Sequence, residues 1–446
     1  MYFIVFGDAT GVVAAEQRFP GVARCLPDLE ERLADGIPLI VDEQGCPVEV
    51  FMAYFLDRQE LAASTQAQYA SALARFGDYL QCRGMSSVLE AQPKDLLAYR
   101  LYRTQKMDNP VSAYSFRVEA AALRQFYSWA VYSARIAKSP VKKLSRNGRS
   151  SLSTNRVRHT KIRHVDSFLY EALLQTAGEA WISTRQGPVR NTAAIKVLAT
   201  AGLRLQELRC LLTFDIDHAI ELQRGVRVEM EAITKYAVNR SVVIPDYALS
   251  AVRRYRKTER PEVVRQCQRA LKGKLDSCFV VTRFDEATRR VSGVWQGRTR
   301  KYPLHQLPPL LRLNAVLVDT DGQVQPLCLF LSQSRALGMT RSGWEGVFTA
   351  ISDEMIRKNP GEKRIRKVTP HDLRHTFAVN FLRAALAERA KAIPGAGLAE
   401  SMPLRDPLID LQELLGHSSA AQTLGYLRYV EDLDRLVAQA APGSTD

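Results

Sequence analysis

The chain has 446 residues, too long for one ordinary domain. Its 46% hydrophobic and 24% charged content is globular, which excludes a disordered or fibrous protein. A formal charge of +15 and a pI near 9.6 point to a polyanionic partner, nucleic acid or an anionic membrane surface. The membrane is excluded, because the longest apolar runs ("YFIVF" at the start, "PLCLFL" at 326–331) are far too short to span a bilayer and no secretory leader pattern opens the chain.

Residues 1–47 hold three Arg and no Lys against eight Asp/Glu, an acidic segment to which we assign a packing or partner role rather than DNA binding. "GIPLIVDEQGCPVEVFMAYFLD" (36–57) reads as a strand, a turn at Gln44-Gly45 and a second extended or helical piece. Residues 48–144 have a helical pattern. Ser64 or Thr65 caps a helix in which Tyr69, Leu73, Phe76 and Leu80 recur before a break at Gly84. "PKDLLAYRLYRTQ" (93–105) starts a second helix, and Ser112 opens a stretch to 138 long enough for two helices or one bent one. Residues 145–164 are rich in Ser and Asn, a linker composition. From Arg135 to His164 there are ten Lys/Arg and no acid, so this linker is able to track a phosphate backbone.

A larger mixed domain is expected over 165–446. Helical patterns at 167–177, 191–201 and 205–212 precede two strands within 226–245, joined near Ala237–Asn239. Residues 251–305 carry fifteen Lys/Arg against five acids without clean periodicity, and 251–325 reads as a basic insertion. "PLCLFLS" (326–332) is a further strand candidate, followed by helices at 342–357, 369–388 and 406–415. Seven scattered cysteines, never spaced as CxxC, favour reduced thiols in the cytoplasm and disfavour structural zinc.

Several residues along this domain carry chemistry. Arg204 in "LATAGLRLQELRCL" lies between two helices, placed to reach a ligand or to pair with Glu207. Lys235 sits at the turn end of the strand pair. In "VTPHDLRHTFAVN" (368–380), Thr369 caps a helix with Pro370 in its first position, so His371, Arg374 and His375 share a face. Gly416 closes the next helix, His417 follows it, and Ser418 or Ser419 caps the helix carrying Tyr426. No carboxylate cluster for Mg²⁺ and no GxxxxGK[ST] loop stands out, so neither metal nor nucleotide cofactor is expected. Two guanidiniums suit the oxygens of a phosphodiester, histidines move protons, a lysine protonates a leaving alkoxide and a tyrosine serves as nucleophile. Together these make a metal-free phosphoryl transfer to tyrosine.

"AGLRLQEL", "HDLRHTFA" and "LLGHSSAAQTLGYLRY", in that order, resemble the tyrosine recombinases, or phage-type integrases, over roughly 48–435. The resemblance implies a mainly α fold with a small β-sheet: a helical, SAM-like core-binding domain and a mixed α/β catalytic domain, closing as a clamp around DNA. By the same resemblance Arg204 and Arg374 bind the scissile phosphate, with Glu207 supporting the Arg204 loop and Arg240 framing the lysine turn. His371 helps deprotonate Tyr426, His417 hydrogen-bonds a phosphate oxygen, and Lys235 protonates the leaving 5′-oxygen. Tyr426 attacks to leave a 3′-phosphotyrosine, with Tyr429 as a rival and His375 packing or bonding locally. It further implies a site-specific recombinase of a mobile element, an integrase or transposase, working without ATP. Such an enzyme is a homotetramer on paired DNA sites and a monomer or weak oligomer elsewhere, nucleoid-associated, and helped by accessory directionality proteins or a partner recombinase. The chain departs from the pattern in a long 235–371 interval and in "TKYAVNR", which lacks the glycine that often follows the lysine.

Two other readings compete. A type IB topoisomerase uses similar residues as a monomer, but the helical domain and the tail beyond Tyr426 favour recombination. A non-catalytic DNA-binding accessory protein would be expected to have lost some of the six positions, and here all are filled with competent residues.

Overall fold

The computed structural model describes residues 1–6, 37–142, 150–153, 162–179, 187–234, 237–391 and 406–427. The chain divides into two compact units, Met1–Thr160 and Lys161–Asp446.

In the first unit, β1 (Phe3–Phe6) pairs antiparallel with β2 (Pro38–Val41), Phe3 facing Val41. α1 (Glu49–Leu56) follows, and its Met52 and Leu56 pack on Val5, Leu39 and Val41. The described ends of the acidic segment are therefore part of this unit's packing. α2 (Ala63–Gln81) buries Leu73, Phe76 and Leu80, while Tyr69 is half-buried. It begins at Ala62 without a side-chain cap, so neither Ser64 nor Thr65 caps it. Instead Gln66 reaches back from the first turn to donate to the Leu61 carbonyl at 2.9 Å, stapling the loop before the helix. α3 (Pro93–Leu101) has Pro93 in its first turn and the Asp95 carboxylate accepting from Gln92 N at 2.9 Å. α4 (Ala113–Tyr132) is one helix capped by Ser112, whose Oγ accepts from Ser115 N.

The second unit is built around α6 (Pro188–Ala201), which follows α5 (Ser167–Gly178) and buries residues on most of its surface. Two short helices, α7 (Leu205–Arg209) and α8 (Thr213–Asp217), lead into an antiparallel sheet of β3 (Ile220–Leu222), β4 (Gly225–Met230) and β5 (Arg240–Pro245). Apolar and polar residues alternate along β4 and β5, so Val226, Val228, Val242 and Ile244 face the main core.

The basic stretch beyond is ordered. α9 (Asp246–Lys257), α10 (Glu259–Gln266) and α11 (Gln268–Lys272) precede β6 (Phe279–Asp285), β7 (Arg290–Trp295) and β8 (Arg298–Pro303). α12 (Pro309–Leu313), β9 (Ala315–Val318) and β10 (Val324–Pro326) complete a five-stranded sheet ordered β10-β9-β6-β7-β8. The catalytic unit thus holds two sheets where the sequence reading expected one small sheet. The candidate strand at 326–332 is mostly irregular: only Pro326 belongs to β10, and Cys328 and Leu331 make isolated bridges. The segment is buried between cores on both sides, with Leu329 N donating to Leu211 O, so no strand neighbour is free to extend it. Arg312 of α12 is fully buried and pairs with Asp215 of α8 at 2.6 Å, fastening this sheet to the rest of the unit. α13 (Arg341–Lys358), α14 (Pro370–Lys391), α15 (Pro407–Leu415) and α16 (Ala420–Leu424) close the unit.

Among the described residues no helix is long and apolar enough to cross a membrane.

Candidate active site

Four backbone segments deliver the side chains. The first is the exit of α6. Gly202 adopts φ +62°, ψ 26°, and a Cβ there would lie 2.3 Å from the Phe377 ring, so this turn requires glycine. It places Arg204 as the residue preceding α7. Glu207, fully buried, accepts from Arg204 N at 2.6 Å and from Arg204 Nη1 at 3.0 Å. Both options open in the sequence, ligand reach and pairing with Glu207, are therefore compatible, because Arg204 retains partial exposure and also donates Nη2 to Gly416 O at 3.0 Å.

The second segment is the start of β5, where Arg240 pairs with the other oxygen of Glu207 and donates to Leu414 O. The third is the start of α14. Thr369 N donates to Asp372 and Asp372 N donates back to Thr369 Oγ1, a reciprocal cap that fixes the rotation of the helix. Arg374, 2% exposed, then donates to Gly202 O at 2.6 Å and to Leu415 O. The fourth is the junction of α15 and α16. Gly416 takes φ +58°, and a Cβ there would lie 2.9 Å from Arg240 Cδ. Ser419 caps α16 and His417 Nδ1 meets Thr423 Oγ1 at 3.0 Å. Tyr426 lies just beyond α16, not on it, because the helix ends at Leu424.

The cluster's charges do not balance. Arg204 and Arg240 share Glu207, and among the described residues Arg374 has only carbonyl partners. Burial first, then repulsion from Arg204 and Arg240, pushes Arg374 well below the ordinary guanidinium range to about 9, and burial lowers Arg240 despite Glu207. A guanidinium in water stays charged, so a depression this large marks an excess of buried positive charge that an anion would relieve. Arg240 Nε is also buried without a hydrogen-bond partner among the described residues.

Tyr426 is 3% exposed, seated among Ala378, Val379, Leu382, Leu411 and Leu415. Burial raises its pKa, opposed by Arg374 and Arg204. Its hydroxyl lies 2.8 Å from His375 Nδ1, and its ring is parallel to His417, the planes 9° apart with centroids at 6.2 Å. His371 is at the exposed rim, its ring centroid 4.1 Å from that of His375. Burial, then the charge of neighbouring His371 and Arg374, pushes His375 down to about 3. Burial, then Arg374 and Arg204, pushes His417 down to about 4, and burial followed by Arg374 lowers His371. All three imidazoles are thus biased toward the neutral form.

Six expected site residues, Arg204, Glu207, Arg240, Arg374, His417 and Tyr426, come together with His371 at their edge. Lys235 and the rival Tyr429 lie outside the described residues. The contact that sequence reasoning missed is His375 to Tyr426. Its signal was spacing: His375 is four residues after His371, on the face that turns toward Tyr426. Chemically, the arrangement offers guanidinium donors for a tetrahedral anion and a neutral imidazole for a phenol proton. Among the described residues no group of three His, Cys, Asp or Glu is placed to hold a metal ion.

The second unit is mainly helical and collects guanidiniums beside a buried tyrosine. Residues 163–390, about half the chain, match the phage integrase family, and residues 48–133 match the phage integrase N-terminal SAM-like domain. The chain belongs to the phage integrase family: it is a tyrosine recombinase, an enzyme that cuts and rejoins DNA through a tyrosine intermediate. Tyrosine recombinase XerC of Roseiflexus sp. (strain RS-1) is 21% identical over 379 residues, 85% of this chain and 88% of that protein. XerC of Bacillus pumilus (strain SAFR-032) is 23% identical over 390 residues, 86% of this chain and 92% of that protein. Among solved structures, the XerH site-specific recombinase bound to palindromic difH substrate aligns over 96% of each chain at 15% identity, with a TM-score of 0.48. The Tn1549 transposon integrase in complex with transposon right end DNA aligns over 87% of this chain and 99% of that one, at 16% identity and a TM-score of 0.48.

Proposed function

We propose that Tyr426 is the nucleophile of a site-specific recombination reaction and that Arg204, Arg374 and His417 hold the scissile phosphate. The observation that carries this reading is the unbalanced positive charge around Glu207, next to a buried tyrosine whose hydroxyl lies 2.8 Å from the ring nitrogen of His375. Tyr426 Oη attacks phosphorus, its proton passes to His375 Nδ1, and His371 behind that ring supplies the path to solvent. Lys235 protonates the departing 5′-oxygen, leaving a 3′-phosphotyrosine and a free 5′-hydroxyl. Attack of a 5′-hydroxyl on that ester reverses the step, so religation conserves the phosphoester and consumes no nucleotide. Glu207 and Arg240 position Arg204 rather than touch the DNA.

The reading extends to a mobile-element recombinase acting in the cytoplasm on the nucleoid, as a homotetramer on paired sites with accessory proteins setting direction. The length of the chain and its additional ordered sheet support an element enzyme over a minimal chromosome-maintenance one.

The test is covalent trapping. Wild type and Tyr426→Phe are expressed with a plasmid carrying the gene's own flanking DNA, stopped with detergent, and protein-linked DNA is recovered and sequenced. We expect an adduct with wild type and none with the variant. An adduct surviving in Tyr426→Phe moves the nucleophile to another tyrosine, with Tyr429 the first to examine.

A further inference from the structure

We propose that the free β7–β8 edge of the five-stranded sheet is a second contact for duplex DNA, gripping the phosphate backbone outside the active site. The sheet's two ends differ. At the β10–β9 end one face is covered: Val316 and Val324 pack beneath Val263, Val264 and Leu271 of α10 and α11. At the other end β8 has no outer neighbour among the described residues, and Arg298, Thr299, Arg300 and Lys301 are all exposed. Strand register sorts the cations. Arg283, Ser292 and Lys301 lie side by side across β6, β7 and β8 on one face, past the bulge at Thr282. Arg298 and Arg300, opposite Trp295 and Gly293, line the edge of the other face. Arg283, Arg298, Arg300 and Lys301 make no ion pair with any described carboxylate. Asp285, the nearest acid along the strand, accepts from Thr288 N in its own turn.

The spacing fits a backbone. Residues two apart on a strand are separated by about 6.8 Å, and each DNA strand carries a phosphate every about 3.4 Å of helix axis, so cations spaced this way along an extended edge can meet the charges of a backbone that runs beside it. A solubilising edge would need only one or two such charges, whereas here three recur along β8 and a fourth, Arg283, stands across the sheet on β6. The sheet is also tied to the active site. Ala232 N donates to His305 O and Arg289 pairs with Glu229, so the end of β8 adjoins the strand pair that carries Arg240. An extended polyanion held at Arg204 and Arg374 therefore has a nearby, separately charged surface to continue along. The reading depends on the recombinase assignment only in that DNA is the polyanion.

The experiment compares full-length wild type with R283Q/R298Q/R300Q/K301Q. Binding to a random-sequence duplex several helical turns long is measured by fluorescence anisotropy across a salt series. Four lost phosphate contacts should lower the slope of log K against log salt by about 3.6. R283K/R298K/R300K, which keeps the point charges, should retain the wild-type slope and serves as the control for folding. Covalent trapping on the flanking DNA at saturating protein should persist in the glutamine variant, because Tyr426 and its neighbours are untouched. An unchanged slope overturns the proposal, as does an unchanged slope with loss of self-association, which would make this edge a protein interface. If wild type itself forms no adduct while the slope difference holds, the strand-transfer reading fails and the DNA contact stands.

Discussion

Each unit buries a carboxylate among arginines, and the two networks are in opposite electrostatic states. In the first, Glu119 accepts from Tyr99 Oη at 2.8 Å and from Arg103 at 2.6 and 3.0 Å, with half-exposed Arg75 at 3.3 Å. Burial pushes the Glu119 carboxyl up, but hydrogen bonds from Arg103 and Tyr99 outweigh it and hold it below the usual range, and Glu119 in turn raises Arg103. In the second, Glu207 serves Arg204 and Arg240 while Arg374 has no carboxylate partner among the described residues, and burial drives the guanidiniums at Arg240 and Arg374 down. A network whose members stabilise each other's charges is finished. One whose guanidiniums are buried beyond what its single carboxylate can compensate is incomplete without an anion, and that difference separates a structural ion cluster from a site.

The same substitution should therefore act oppositely in the two places. Arg103→Gln leaves Glu119 buried with its main partner gone and should cost about 3–5 kcal/mol of stability, read from denaturant unfolding of the first unit's signal. Arg374→Gln removes repulsion as well as two carbonyl contacts, so stability should change by no more than about 1 kcal/mol. Its cost should fall on strand cleavage instead, a loss of about 10²–10³-fold in single-turnover adduct formation. Arg374→Gln that unfolds the protein, or Arg103→Gln that is silent, would erase the distinction. His375→Gln sharpens it further. With the acceptor of the Tyr426 proton weakened, cleavage should slow about 10²-fold. His371→Gln should slow it less if His371 acts through His375, and the reverse order would return the base role to His371.

Much of this was legible in the sequence because local rules coincided with chemistry. Gly202 and Gly416 punctuate helices where arginines must approach, and the Thr369-Pro370 start fixed which face Arg374 presents. What was illegible depended on contacts between distant segments. The carbonyls of Gly202 and Leu415 that hold Arg374 carry no local pattern, and the spacing that puts His375 on the face of His371 does not say which distant hydroxyl it meets. The five-stranded sheet escaped for another reason. Its strands are short, one side is solvated at β8, and arginines interrupt the alternation that marks a half-buried strand. The buried 326–332 segment misled in the opposite sense, since a continuous apolar run is equally compatible with a strand and with irregular chain threaded through a core.

Acid should separate the two networks without any mutation. His375 and His417 sit at about 3 and about 4, below the ordinary 6.5, so the folded chain keeps them neutral while the unfolded chain takes up protons. Their contribution is intact above pH 6.5 and is lost as pH falls from there toward 4. Two such groups give a slope of at most about 2.7 kcal/mol per pH unit, and partial solvent access to both rings brings this to about 1–2. Glu119 has the same sign but a lower window: its lowered pKa gives stability that is present above the ordinary carboxylate value and is lost only as pH drops below it. Between about pH 6.5 and 4.5 the second unit should therefore weaken while the first holds. Hydrogen exchange at the two ends of this window should show protection falling along α14 and α15 and unchanged along α3 and α4. Bound DNA supplies the missing negative charge, so it should raise both histidines and take up protons near pH 5, measurable by calorimetry in buffers of different ionisation enthalpy. Equal acid sensitivity in both units, or DNA binding without proton uptake, would mean that the cluster around Glu207 is as complete as the one around Glu119.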